Sequence, residues 1–135
     1  MDWTSAIDAY CERLDSGFWA EPVNALTNLA FLVAAWVMWR RCWGQGAGRL
    51  LAGVLGAIGL GSLLFHTFAT GWAAAADMLP ILIFALIYIY LANRDFCGFS
   101  HSVSLAGAGA FLPFSALLTP VFAQLPFFSI SAVYW

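Results

Sequence analysis

The sequence predicts an all-α integral membrane protein, and three observations carry that prediction. Hydrophobic residues make up 63% of the 135-residue chain and charged residues only 9%, against roughly a quarter charged in soluble domains. Between Arg49 and Arg94 the only formally charged side chain is Asp77, and from Phe96 to Trp135 there is none. The apolar runs are long and lack period-2 alternation, which selects helices over strands. The same composition excludes a disordered chain. Five arginines, no lysine and a net charge of −2 exclude the basic patch of a nucleic-acid binder.

A spanning helix takes about 20 apolar residues, so the runs divide at their turn signals. The first predicted span is 22–40, opened by Pro22 and closed by Arg40 and Arg41. A loop with Gly44, Gly46 and Gly48 leads to the second span, 49–68, and a turn at Thr70 and Gly71 leads to the third, 72–92. The third ends at Asn93, Arg94 and Asp95; the fourth covers 102–119 and stops at Pro120. Residues 127–135 read as the opening of a fifth span, too short to cross, so the sequence is expected to be the N-terminal part of a longer protein. On this division residues 1–21 form an acidic extracytoplasmic segment, and residues 22–135 form a transmembrane helical domain cut short at its C-terminus. The first 20 residues carry four acids and no basic stretch before an apolar core, which is not the pattern of a signal peptide. Gly53, Gly56 and Gly59 suit close helix packing in a membrane.

Arginine placement sets the expected orientation. With the N-terminus outside, Arg40, Arg41, Arg49 and Arg94 face the cytoplasm and only Arg13 lies outside. A multi-pass protein of a bacterial inner membrane, or its equivalent, is therefore expected. Cys11, Cys42 and Cys97 form no CxxC pair and are expected to be small apolar fillers, without disulfides. Arg13, Gln124 and the methionines show no pattern that assigns them a role, and nothing selects an oligomeric state.

Ionisable groups are costly inside spans, so their positions are informative. Ser62 and His66, four residues apart, share one face of the second span. His66 is about 5 Å and Asp77 about 8 Å from their helix ends, at 1.5 Å per residue. Glu21, Asn24 and Asn28 form a stripe on the outer half of the first span. Three spans thus send polar groups to one end of the membrane. Each group alone has a plainer alternative: a carbonyl partner for His66, a back-bond for Ser62, a helix-start position for Asp77 and interhelical hydrogen bonds for the asparagines. Together, an imidazole beside a carboxylate suits zinc. Asp8, Glu12, Asp15 and Glu21 place four carboxylates within 14 residues, an oxygen-rich set that suits calcium or a merely solvated acidic face. A catalytic zinc takes three protein ligands, and the only other histidine, His101, falls on the opposite side and reads as a polar loop residue.

Tyr10-Cys11-Glu12, the run from Phe18 through Glu21-Pro22 to Asn28, Gly61-Ser62 with His66, and Ala76-Asp77-Met78-Leu79-Pro80 together resemble the alkaline ceramidases. These belong to a seven-span hydrolase superfamily that includes adiponectin-type receptors and Per1-like proteins. The resemblance covers about residues 8–80. It implies that the chain supplies the first four to five spans of a seven-transmembrane-helix bundle. It also implies a zinc amidase in the lipid bilayer that cleaves the N-acyl bond of ceramide, or a related lipid, to sphingosine and a fatty acid. By the same resemblance His66 is a zinc ligand, Ser62 stabilises the oxyanion, and Asp77 orients or deprotonates the attacking water. Calcium is implied at Glu12 and Glu21, with the Tyr10 carbonyl contributing and Asp8 and Asp15 displaced by about one residue from the family's positions. Asn24 and Asn28 form the structural polar stripe. The two further zinc ligands of the family, a His-x-x-x-His pair on the last span, are not in this sequence. Another lipid acyl hydrolase of the superfamily, or a non-catalytic membrane receptor or structural protein, is the alternative.

Overall fold

Pro22 opens the first helix, where its missing N–H is no loss. A computed structural model describes residues 2–8 and 10–124. Its helices are α1 (Pro22–Thr27), α2 (Leu29–Arg41), α3 (Gly46–Phe68), α4 (Gly71–Leu91) and α5 (His101–Ala123), with a π-helical turn at Ala92–Phe96 after α4. Four helical stretches are long and apolar enough to cross a membrane: Pro22–Arg41, Gly46–Phe68, Gly71–Phe96 and His101–Phe122. The chain is an all-helical, multi-pass membrane protein. It divides into two compact units, Met1–Ala85 and Leu86–Trp135.

Within the first unit, the expected first span is two helices that meet at Asn28. The Asn24 carbonyl explains the break, because it accepts from Thr27 Oγ1 at 2.9 Å and from Asn28 Nδ2 at 2.9 Å. Side chains that satisfy a carbonyl compete with the helical ladder. α2 packs on α3 through the expected glycines. A Cβ at Gly59 would stand 2.9 Å from Phe31 and Leu32, one at Gly53 3.3 Å from the Trp39 ring, and one at Gly56 3.5 Å from Ala35. α3 starts at Gly46 rather than 49, behind a turn in which Gly44 takes φ +81°, a conformation open to glycine. It ends at buried Ala69, which takes the left-handed φ of 45°. The N-terminal segment lies along this turn. Ile7 N–H donates to the Ala69 carbonyl at 2.7 Å, and Trp72 N–H donates to the Trp3 carbonyl at 3.1 Å.

In the second unit α5 does not stop at Pro120, as the sequence pattern suggested, but runs through Pro113 and Pro120 to Ala123. Hydroxyls take up nearby carbonyls: Ser115 Oγ donates to Leu112 at 3.0 Å and Thr119 Oγ1 to Ser115 at 2.8 Å. His101 is likewise not a loop residue. It opens α5 behind the Ser100 cap, with Nδ1 2.9 Å from the Tyr90 hydroxyl. The three cysteines are free, but only Cys42 is a buried filler; Cys11 and Cys97 are exposed. The expected fifth-span opening at 127–135 lies outside the described residues.

Candidate active site

The site grows from the C-terminal turns of α3 and the opening turns of α4. Ser62 and His66 share one face of α3, and Gly61 beside them is where α4 comes closest. A Cβ at Gly61 would fall on the Ala76 carbonyl and 3.0 Å from the Cα of Asp77. Pro80 contributes to this approach. It lies four residues after Ala76 and has no N–H, so the Ala76 carbonyl has no helical donor to claim it. That carbonyl faces Gly61 instead. The close approach brings Asp77 beside the Ser62 turn of α3 and within electrostatic reach of His66. His66 is 7% exposed and Asp77 3%. One carboxylate oxygen, Oδ1, is buried with no partner among the described residues. A buried acceptor without a partner is costly.

Glu21 is the third wall. It is 2% exposed at the start of α1, and its Oε2 lies 2.5 Å from Nδ1 of His66. Its Oε1 accepts from Arg13 Nε at 2.6 Å. Burial opposes the charged form of Glu21, but the hydrogen bonds and charges of His66 and Arg13 outweigh it and hold the carboxyl below the usual carboxylate range. An ionised carboxylate only accepts, so Nδ1 of His66 carries a proton. In the neutral ring Nε2 then keeps its lone pair, the arrangement found where histidine binds a metal. The Tyr10 ring stands edge-on to the imidazole with centroids 4.8 Å apart, and contacts Phe65 at 6.1 Å.

The polar stripe is partly assembled. Asn24 Nδ2 reaches Glu21 Oε2 at 3.4 Å, while Asn28, also buried, turns back to its own helix. Of the carboxylates expected to hold calcium, Glu12 and Asp15 accept backbone N–H groups and Glu21 faces Arg13 and His66. Glu12 accepts the N–H groups of Val23 at 2.7 Å and Asn24 at 3.0 Å, capping α1 from a distance. Asp15 Oδ1 accepts from Gly17 N–H at 2.7 Å, and Asp8 is exposed. Among the described residues no three His, Cys, Asp or Glu side chains gather as metal donors. Glu12→Gln should retain the size of this distant cap but lose its charge, lowering stability by about 1 kcal/mol; thermal unfolding in micelles measures it.

Sequence reasoning missed Arg13, whose partners are 8 and 53 residues away. Gly61 and Pro80 stood in the motifs without a role, although a proline four residues after a site carbonyl was a readable signal.

Fold and site define a multi-pass membrane protein with a buried imidazole and carboxylate, and a half-buried hydroxyl, at one end of two helices. A sequence profile of the Ceramidase family matches residues 2–135, and the chain belongs to that family. It is thus a membrane hydrolase whose family acts on a lipid. No curated protein and no solved structure matches the chain.

Proposed function

We propose that the protein is a zinc-dependent intramembrane amidohydrolase that cleaves ceramide to sphingosine and a fatty acid. The observation that carries this reading is the meeting of Ser62, His66 and Asp77 where α3 and α4 touch, with Glu21 on the far nitrogen of the imidazole. The donor set fits zinc in kind: an imidazole tied at Nδ1, and a buried carboxylate oxygen with no partner. In number the described residues supply His66 toward the three protein ligands that a catalytic zinc takes.

When bound, zinc polarises the amide carbonyl and acidifies water. Glu21 keeps the proton on Nδ1, so that Nε2 points its lone pair into the site. Asp77 Oδ1 accepts a proton from the attacking water and returns it to the leaving nitrogen as the C–N bond breaks. The Ser62 hydroxyl donates to the oxyanion that develops on the carbonyl. The apolar helices accept the lipid tails. The arginine distribution puts this end of the bundle, with the N-terminus, on the extracytoplasmic side.

Metal analysis and product detection on the natural protein, purified from membranes, test the proposal. One zinc per chain and release of sphingosine from ceramide are expected. A metal-free protein that still hydrolyses ceramide, or a zinc-loaded one that releases no amine, contradicts it.

A further inference from the structure

We propose that Arg13 is a built-in cation that stands where the resemblance implies calcium, and that it positions His66 through Glu21. The inference rests on His66 as the zinc ligand proposed above, and begins from the poor fit of the calcium donors. A calcium ion takes six to eight oxygens, largely from carboxylates and carbonyls. The Arg13 guanidinium already occupies a set of that kind. Its Nε donates to Glu21 Oε1 at 2.6 Å, its Nη2 to the His66 carbonyl at 3.2 Å, and its Nη1 faces the carbonyls of Asp15 at 3.4 Å and Gly17 at 3.5 Å. The side chain is only 6% exposed.

Charge argues the same way. Glu21 is the one buried carboxylate of the expected set, and Arg13 neutralises it. Glu12 spends both oxygens on the start of α1, and Asp15 turns to Gly17. A divalent ion at this place would have to expel a buried guanidinium or sit beside it, and like charges repel strongly where water is scarce. The planar fork also does what a spherical ion does not, fixing direction as well as charge.

The contacts close a ring. Arg13 holds Glu21, Glu21 holds the imidazole of His66, and Arg13 returns to the backbone carbonyl of the same histidine. Both the main chain and the side chain of His66 are thereby tied to one guanidinium, which limits rotation of the ring. Arg13 touches neither substrate nor metal, so it is a positioning residue. Partners of this type change metal affinity by about 10–100-fold when removed.

Two measurements on the natural protein test this. First, calcium is titrated into zinc-loaded protein in calcium-free buffer, followed by radiolabelled calcium binding and by melting temperature. No stoichiometric binding and no shift in melting are expected, whereas an ion well above its dissociation constant would raise the melting temperature by several degrees. Stoichiometric binding with such a rise overturns the proposal. Second, zinc affinity is measured by competition with a metal chelator for wild type, Arg13→Ala, Glu21→Gln and the double variant. Each single change should weaken zinc about 10–100-fold, and the double variant should be no worse than the singles, since both break one ring. Wild-type affinity in Arg13→Ala, or additive losses in the double variant, overturns it. Arg13→Lys, which keeps charge but not the fork, should recover part of the loss. A wild-type protein that binds no zinc defeats the functional reading instead, and the calcium titration still judges Arg13 by itself.

Discussion

Asp77→Asn is expected to lower ceramide turnover by about 10²–10⁴-fold while zinc content stays at the wild-type level, the loss that follows removal of a positioned general base. That range is roughly 2.7–5.4 kcal/mol of barrier at 1.36 kcal/mol per decade. The change is nearly isosteric, so α3 and α4 should stay in contact. What it removes is proton acceptance at a buried Oδ1 that has no partner among the described residues. Ser62→Ala should cost about 10²–10³-fold, typical of one oxyanion donor, again without loss of metal. Turnover of labelled ceramide, with metal analysis of the same samples, reads both results. Unchanged turnover in either variant would remove that residue from the proposed chemistry.

Gly61→Ala should be the most damaging single-methyl change in the described helices. The added carbon would land on the Ala76 carbonyl, which is backbone and cannot rotate away. Overpacking of this kind costs about 1–3 kcal/mol, and the upper end applies because a whole helix must shift. The shift would also part Ser62 from Asp77, so turnover should fall beyond the loss of folded protein. Gly56→Ala is the internal comparison. Its methyl would sit 3.5 Å from Ala35, an ordinary contact, and alanine favours a helix over glycine by about 1 kcal/mol. Melting in micelles should therefore drop for Gly61→Ala and hold or rise for Gly56→Ala; equal behaviour would refute the close approach as the organising contact.

The helices were legible because their signals are local. Apolar runs bounded by Pro22, Arg41 and the glycines around 44–48 place the α1–α2 stretch and α3 within a few residues of their observed outer ends. The Ser62–His66 spacing puts both on one helix face by period alone. One exception has a local cause that a hydropathy pattern does not carry. Thr27 and Asn28 break the first span through side-chain bonds to the Asn24 carbonyl.

The acidic N-terminal cluster shows where local reasoning ends. Four carboxylates close in sequence suggest one site, yet Glu12 turns to α1, Asp15 to its own loop, and Glu21 to Arg13 and His66. Which partner each takes depends on where the N-terminal segment lies against α3, and that follows from contacts such as Ile7 with Ala69 and Arg13 with His66.

By itself, then, the sequence determined that this chain crosses a membrane in helices and that an imidazole, a hydroxyl and a carboxylate lie near one end of two of them. Hydropathy and helical period are properties of neighbouring residues, and no folding is needed to read them. Only the tertiary structure decided that Ala76 meets Gly61, that Glu21 grips His66, and that Arg13 neutralises Glu21. Those pairings join residues 8 to 45 positions apart, and buried polar groups choose partners by who else is buried beside them.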